Sequence, residues 1–354
     1  MPFSGMSSSF FFAAMTTVCL LVMCNSEKNP AGTVITDNDS DSGPYMGRLQ
    51  VQGNGFVDST GNTIVLKGLC MGDPLITQYS TKQWNEHYFQ AAASWGARLL
   101  RIPVNPGSYR SIGAESIFAR IDSAVTWAKK YTMYLIIDWH GDGNPVEEID
   151  QADWQATSLE EMKTFWSKAA ERYKNEYCVA FYEIFNEIHQ WDDGITWHEW
   201  RVMADEIIDT IYAHNDKAIP VVGGLNYCYN LTEALSDPLT HTGYAFSVHP
   251  YPGRAKAPYE VKWDRDFGFC AASHPMIFTE FGFDPNDTVS PGVFKADTVY
   301  GNAILNYADN LGISWTAWVF YSGDSWPMPL FSDWETMTPT MSGDLIKRKL
   351  QSGQ

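Results

Sequence analysis

The sequence is short of basic residues and lacks the local motifs that most often bind metals or nucleotides. It holds 24 Lys and Arg against 42 Asp and Glu, for a net charge of −18. Because nucleic-acid binding draws on clustered Lys and Arg, we expect no nucleic-acid partner. The sequence has no CxxC pair, no HExxH pair and no Gly-rich GxGxxG loop. These absences argue against a zinc site and a dinucleotide-binding sheet, and we expect no cofactor.

Cysteine is also scarce, with six residues in 354. Two of them, Cys19 and Cys24, lie in the N-terminal segment. In an exported protein the other four are able to form up to two disulfides, and four free buried cysteines are an equal alternative. These four residues are Cys70, Cys178, Cys228 and Cys270.

The apolar run from Phe10 to Cys24 is too short to span a bilayer, and polar residues follow it at once. This pattern is typical of an export signal. We therefore predict a signal peptide or lipoprotein signal over residues 1–24, a flexible linker over 25–44 and one folded domain over 45–354. The expected protein is a monomer that is secreted or anchored at the cell surface through a lipid on Cys24.

The rest of the chain is rich in apolar residues, at 45% overall, and in aromatic residues, at 14%. Strand-like apolar runs alternate with segments of helical period, which indicates parallel strands. We count eight of each, and a closed (β/α)8 barrel uses that number in about 250 residues. The predicted fold is a single α/β domain, a (β/α)8 TIM barrel preceded by a β-hairpin, with a doubly wound open sheet as the alternative.

The predicted segments cover nearly all of the folded domain. The hairpin pairs Leu49 to Val51 with Phe56 to Val57. The predicted barrel strands are Ile64 to Gly68, Ala97 to Pro103, Tyr134 to Trp139, Val179 to Asn186, Ile219 to Gly223, Tyr244 to Val248, Met276 to Thr279 and Ile313 to Val319. The predicted helices are Trp84 to Trp95, Ile117 to Lys130, Leu159 to Lys174, Trp197 to His214, one near Leu231, one near Tyr259 to Phe269, Ala296 to Leu311 and Gly343 to Leu350.

Polar or aromatic side chains terminate six of the apolar runs. In a barrel the carboxyl ends of all strands meet on one face, where such enzymes place their catalytic groups. Taken singly, each residue has a structural interpretation, such as an ion pair for an arginine or a satisfied buried site for a histidine. Six on one rim favour a functional site. They are Arg101, His140, Asn186 with Glu187, His249 with Tyr251, Glu280, and Trp318.

Two carboxylates at strand ends suit the hydrolysis of a glycosidic bond, which needs one protonated and one ionised acid. Arg101 and Tyr251 are donors that hold a carboxylate ionised, which favours Glu280 as nucleophile. Glu187 is then the acid that protonates the leaving oxygen and afterwards activates water. Asn186 is expected to hydrogen-bond a sugar hydroxyl, and Trp318 to offer a face on which the ring stacks.

Six motifs together resemble glycoside hydrolase family 5, the cellulase-type retaining hydrolases. They are LLRIPV around Arg101, DWH ending at His140, FYEIFNE ending at Glu187, SVHPY ending at Tyr251, FTEFG around Glu280 and TAWVF around Trp318. The resemblance covers Leu49 to the C-terminus, with the motifs in the family's order on the predicted strands. It implies a (β/α)8 barrel and a two-step retaining mechanism without a cofactor.

The resemblance further implies Glu187 as acid/base, Glu280 as nucleophile, and a substrate subsite lined by Arg101, Asn186, His140, His249, Tyr251 and Trp318. The expected activity is cleavage of internal β-glycosidic bonds in a plant-type polysaccharide, with an endo-β-1,4-glucanase as the leading hypothesis. A β-mannanase, a xyloglucanase and a β-1,3-glucanase are the rivals on the same scaffold. Retention of configuration predicts carboxyl groups about 5 to 5.5 Å apart, and inversion about 6.5 to 9.5 Å.

Two other classes of protein remain as alternatives. One is a non-catalytic carbohydrate-binding protein, which the presence of both glutamates disfavours. The other is a metal-dependent hydrolase that would use Asp138, His140, Asp142 and His249, which lack an HxH or HExxH spacing.

Further residues near the strand ends have expected roles of their own. Glu183 shares the inward parity of Glu187 and is predicted to be a structural acid that is paired or protonated. About one in three of five loop tryptophans is expected to contact the substrate. These five are Trp139, Trp191, Trp263, Trp326 and Trp334.

Overall fold

The computed structural model describes residues 47–189, 194–288, 290, 292–323 and 327–352. The predictions for the N-terminal signal and linker, for Cys24, and for Trp191 and Trp326 lie outside these residues. Within the described ranges, none of the helices combines the length and the apolar character that a membrane crossing needs. The four cysteines of the domain are free and buried, so the alternative with disulfides is wrong.

Eight parallel strands close into a barrel. Each strand pairs with the next barrel strand along the chain, including the fourth with the fifth. This confirms the predicted (β/α)8 barrel. Every predicted barrel strand overlaps an observed one, with ends that differ by a few residues. The observed strands are Lys67–Cys70, Leu99–Val104, Tyr134–Trp139, Val179–Glu183, Ile219–Gly223, Ala245–Ser247, Met276–Phe278 and Ser314–Ala317.

Helices cover the outside of the barrel. Two of those described, Pro74–Thr81 and Pro106–Ile112, were not predicted; each begins at a proline directly after an Asp or Asn N-cap. The α-helices are Pro74–Thr81, Glu86–Ser94, Pro106–Ile112, Ala114–Lys130, Leu159–Tyr173, Trp197–Tyr212, Glu260–Asp266, Thr298–Leu311 and Met341–Gln351, with a short turn at Leu225–Cys228 and 3₁₀ turns at Pro252–Arg254 and Gly268–Ala272.

The helix Leu159–Tyr173 shows how the sequence sets these elements. Ser158 caps it by accepting a hydrogen bond from the backbone N–H of Glu161. Apolar residues recur at helical spacing, and those on the inner face are buried. Met162, Phe165 and Trp166 are fully buried there.

One predicted helix is wrong. Instead of a helix near Leu231, the chain forms the short turn Leu225–Cys228, in which Asn226 and Tyr227 have φ of 57° and 60°. Residues other than glycine rarely adopt this left-handed backbone conformation, so the apolar periodicity of the sequence gave no sign of the turn.

The N-terminal end of the barrel is closed by a small antiparallel sheet. The predicted hairpin is present as Gln50–Gln52 and Gly55–Val57, but Thr63–Ile64 joins it as a third strand instead of starting the barrel. Phe56 from this sheet meets Phe181 inside the barrel, with ring centroids 4.9 Å apart. Burying each such ring contributes about 1.5 to 3 kcal/mol, so this end is a packed apolar core.

Candidate active site

Arg101 is the centre of the polar network at the other end of the barrel. It lies within the strand Leu99–Val104 and not at its end, so the prediction that it terminates a run is wrong; its long side chain reaches the site from lower in the barrel. The side chain is fully buried. All three guanidinium nitrogens have partners. Nε lies 2.6 Å from Glu183 Oε2, and Nη1 lies 2.6 Å from Glu280 Oε1 and 3.5 Å from Cys70 Sγ. Nη2 lies 2.7 Å from Asn186 Oδ1 and 2.9 Å from Asp138 Oδ2.

These contacts match the five N–H donors of a guanidinium, a fork that lysine cannot reproduce with its three. Around this cation, burial raises the pKa of Glu183, but the charge and hydrogen bond of Arg101 outweigh burial and bring it down to about 2. Glu183 is therefore paired and ionised, in agreement with its predicted structural role. Burial dominates at Asp138 and raises its pKa to about 6 against the opposing charge of Arg101.

Glu280 follows the seventh barrel strand and is held by two donors. Arg101 Nη1 lies 2.6 Å from Oε1, and the Tyr251 hydroxyl donates to Oε2 at 2.7 Å. Its side chain is only 6% exposed. Burial and the adjacent carboxylates raise the pKa of Tyr251 well above its usual value, so the hydroxyl stays protonated and keeps donating. One carboxylate is thus fixed in place by donors that do not titrate near neutral pH.

Glu187 is held differently. The fourth barrel strand ends at Glu183, three residues before the predicted end, and the chain pairs again at Glu187–Ile188 with Asp142–Gly143. This separate ladder at the rim positions Glu187, whose side chain is 20% exposed. His249 Nδ1 lies 2.8 Å from its Oε1. Burial raises the pKa of Glu187, but the hydrogen bond and charge of His249 outweigh it, so the pKa lies below its usual range.

His249 connects Glu187 to the barrel interior. Its ring is fully buried, and Nε2 lies 2.9 Å from Thr279 Oγ1 and 3.9 Å from Glu183 Oε1. Burial lowers its pKa, but the surrounding acidic groups outweigh burial and raise it well above its usual value. The proton of the His249–Glu187 pair therefore resides mainly on the imidazole.

The two glutamates lie close together. One carboxylate oxygen of Glu187 and one of Glu280 are within 4.8 Å of each other. This close approach agrees with the spacing of about 5 to 5.5 Å between the carboxyl groups of retaining glycosidases.

His140 and Trp318 form a second part of the site. Their rings are stacked, with centroids 5.8 Å apart and planes within 3°. His140 Nδ1 lies 2.7 Å from Asp138 Oδ2, which fixes the imidazole against the Arg101 network. Asn186 accepts from Arg101 through its side-chain oxygen, which fixes its NH₂ group as the donor end of the amide. The structure therefore brings all eight predicted site residues to one face of the barrel.

The side chains with metal-ligand spacing, among the residues described, are Glu187, His249 and Glu280, whose ligand atoms lie within 4.8 Å of one another. Arg101 already places a positive charge 2.6 Å from Glu280, which opposes a cation there. The metal site considered from the sequence is not assembled, because Asp138 is paired with His140 and Arg101, whereas Asp142 is bonded to His189.

Two members of the network were missed by sequence reasoning. Cys70 at the end of the first barrel strand contacts Arg101, and Thr279 contacts His249. Both lie at strand ends, as the predicted residues do, and this position was the only sequence feature that could have identified them as part of the site. A small thiol or hydroxyl at such a position is too common to single out.

Of the five predicted tryptophan platforms, those that the structure describes belong largely to the core. Trp139 and Trp263 are fully buried, so neither presents a face to a ligand. Trp139 belongs to the third barrel strand and packs on Phe165 with centroids 4.5 Å apart. Trp334 is half-buried and packs edge to face on Tyr88, 5.0 Å away.

A barrel whose C-terminal face presents two closely spaced carboxylates is the arrangement of a retaining glycoside hydrolase. Residues 57–324 match the cellulase family, glycosyl hydrolase family 5. This match spans well over half of the chain, which therefore belongs to that family.

Relatives of known name agree with this assignment. A solved beta-glucanase of Saccharophagus degradans is 32% identical with a TM-score of 0.83, covering 91% of this chain and 98% of that one. Endoglucanase A of Butyrivibrio fibrisolvens is 27% identical over 234 residues, 64% of this chain and 50% of the relative. Endoglucanase CelA of Streptomyces lividans is 27% identical over 244 residues, 66% of this chain and 48% of the relative. The chain spans about half the length of these two curated relatives.

Proposed function

We propose that this chain is an endo-β-1,4-glucanase that cleaves internal bonds of a β-glucan with retention of configuration. The observation that carries the proposal is the pair of Glu187 and Glu280, with carboxylate oxygens within 4.8 Å and with different partners. The substrate class is supported by the endoglucanase names of the relatives and by the solved complex of the Saccharophagus degradans beta-glucanase with cellotetraose.

In the first step, an ionised Glu280 oxygen attacks the anomeric carbon while the bond from this carbon to the leaving oxygen breaks. Glu187 gives its proton to the leaving oxygen, so the shortened glycan departs as a neutral alcohol. Arg101 and Tyr251 keep the Glu280 carboxylate aimed, at 2.6 and 2.7 Å. The product is a glycosyl ester on Glu280.

In the second step, Glu187 is a carboxylate and takes a proton from water, whose oxygen attacks the same carbon. The ester bond breaks, Glu280 is released as a carboxylate, and the sugar keeps its original configuration. The 20% exposure of the Glu187 side chain supports this role, because this group must meet first the leaving oxygen and then water.

The proton for the first step comes through the His249–Glu187 hydrogen bond. The pair holds one proton across the 2.8 Å between Nδ1 and Oε1. When a substrate covers Glu187 and excludes water, burial disfavours its ionised form and the proton moves to Oε1. His249 then remains in place through Thr279, ready to take the proton back when the cycle closes.

A substrate screen tests the proposal. Purified protein is incubated with barley β-glucan, hydroxyethylcellulose, xyloglucan, mannan and laminarin, and the products are sized. Release of short cello-oligosaccharides with a fast fall in polymer length is the expected result. Preferred cleavage of mannan, xyloglucan or laminarin would replace the glucanase by the corresponding activity, and EDTA-sensitive activity would overturn the cofactor-free mechanism.

We further propose that the chain is exported and works as a monomer, either secreted or held at the cell surface by a lipid on Cys24. The support is the apolar run that ends at Cys24 and the polar linker sequence that follows it. Mass spectrometry of the mature N-terminus tests this: a lipid-modified Cys24 as first residue indicates an anchored protein, and an intact Met1 contradicts export.

A further inference from the structure

A basic pocket lies beside the proposed active site. It has a volume of about 490 Å³ and is lined by four cationic side chains, Arg254, Lys256, Lys262 and Arg265. The chain as a whole carries a net charge of −18, so four cations around one pocket run against its composition. Clustered charge of one sign in a concave site concentrates ligands of the opposite sign.

The positive charge of the pocket is only partly balanced. Lys262 and Arg265 both pair with Asp266. Among the residues that the structure describes, neither Arg254 nor Lys256 has a carboxylate within salt-bridge distance, and Arg254 Nε is buried without a hydrogen-bond partner. This excess of cations around the pocket favours an anionic ligand.

A chain of contacts leads from Arg254 in the pocket to the segment that carries the acid/base Glu187. Arg254 donates to Asn226 at 3.1 Å and lies 4.7 Å from the centroid of the Tyr227 ring. Tyr227 stacks on His189 at 4.0 Å, two residues after Glu187. The glycan bound next to a general acid is the leaving part of the substrate, so the pocket lies on the leaving-group side.

We propose that this pocket binds a carboxylate-bearing sugar unit on the leaving-group side of the substrate. The inference rests on the proposed function, because that function defines this side. A glycan with widely spaced carboxylates fits better than a polyanion, since the overall charge of −18 repels dense negative charge at long range. The enzyme therefore prefers a carboxylated β-glucan to a neutral one of the same backbone.

Affinity electrophoresis in gels that contain carboxymethylcellulose or hydroxyethylcellulose tests this preference without relying on catalysis. The test variant is Lys256→Glu with Arg265→Glu, and Lys256→Gln with Arg265→Gln is a milder companion. The matched control is Arg98→Glu with Lys168→Glu, two exposed residues elsewhere that change the net charge equally. Hydrolysis of hydroxyethylcellulose is followed for each protein.

The wild type is expected to bind carboxymethylcellulose more tightly, with affinity reduced about tenfold in the test variant, less in its neutral companion, and by less than twofold in the control. The preference should disappear at high salt, as expected for exposed charges. Equal losses in test and control variants, or no preference in the wild type, would overturn the inference. Binding to phosphatidylglycerol vesicles without preference for the carboxylated polymer would also overturn it. If the preference holds but no protein hydrolyses either polymer, the proposed function fails and the pocket assignment stands.

Discussion

The two glutamates of the site face the same space but are held in opposite ways. Glu280 is 6% exposed and is bound by Arg101 and Tyr251. Glu187 is 20% exposed, stands on a separate ladder at the rim, and is bound by His249. The first set of partners does not titrate near neutral pH, whereas the second is a histidine.

This difference assigns the roles. A nucleophile must remain ionised and fixed, which non-titrating donors ensure, and an acid/base must exchange a proton twice in each cycle, which a titrating neighbour permits. Two identical side chains, one after the fourth barrel strand and one after the seventh, thus acquire different chemistry from their partners.

Replacing each glutamate by glutamine should give the largest effect and separate the two roles. Glu280→Gln is expected to reduce kcat by about 10⁵-fold or more on every substrate, because the nucleophile is lost. Glu187→Gln should lose about 10²- to 10⁴-fold on polysaccharide but much less in the first step on a dinitrophenyl glycoside, whose leaving group needs no proton. Steady-state and burst kinetics measure both, and circular dichroism checks the fold.

Near-normal turnover of polysaccharide by either variant would contradict the assignment. Equal losses on activated and unactivated substrates for Glu187→Gln would remove its role as an acid.

Arg101→Lys tests whether the guanidinium fork is what distinguishes Glu280. Lysine keeps the charge but has three donors for five partners, so several buried acceptors lose their hydrogen bonds. We expect kcat to fall about 10²- to 10³-fold, as when a donor that stabilises charge is lost. Thermal unfolding should also occur at lower temperature. A variant with unchanged kcat would show that Glu280 does not depend on this network.

Tyr251→Phe removes the other donor to Glu280 without altering any group that titrates near neutral pH. We expect kcat to fall about 10- to 100-fold, in line with the loss of one hydrogen bond to a charged group. The alkaline limb of the pH profile of kcat/KM should stay in place, because Glu187 and His249 are unchanged. A shift of this limb would mean that the two carboxylates are not held independently.

His249→Gln is the converse change and acts on Glu187. His249 holds the pKa of Glu187 below its usual range, so its removal should raise that pKa. In the wild type, however, the proton of the pair resides mainly on His249, whose pKa lies well above its usual value, so the alkaline limb of kcat/KM follows the loss of that proton. Without the histidine the limb follows the carboxylic acid of Glu187 alone and should move to lower pH, with a reduced maximum. An upward shift or an unmoved limb would contradict the proposed proton pair.

Much of this site could be predicted from where polar residues follow apolar runs. Glu187, Glu280, His140 and Trp318 stand at or near strand ends, and a parallel barrel brings these ends together whatever the details of packing. Arg101 was identified for the wrong positional reason, since it lies inside its strand and only its length brings it to the rim.

Other features depend on contacts that no local pattern encodes. Trp139 is part of a strand and turns into the core, so its place near a strand end did not reveal its direction. Thr63–Ile64 pairs with the hairpin, where Ile64 lies opposite Phe56. The apolar run alone does not decide whether this segment joins the hairpin or the barrel. The basic pocket was also invisible, since its cations are interleaved with Glu260 and Asp264 in the sequence.

Trapping of the covalent intermediate tests the central claim most directly. A 2-deoxy-2-fluoro cellobioside with a good leaving group slows both steps but the second more, so a glycosyl ester accumulates on the nucleophile. Peptide mass spectrometry should then locate the added sugar on Glu280. A label on Glu187, or an unlabelled enzyme that releases product of inverted configuration, would contradict the assignment.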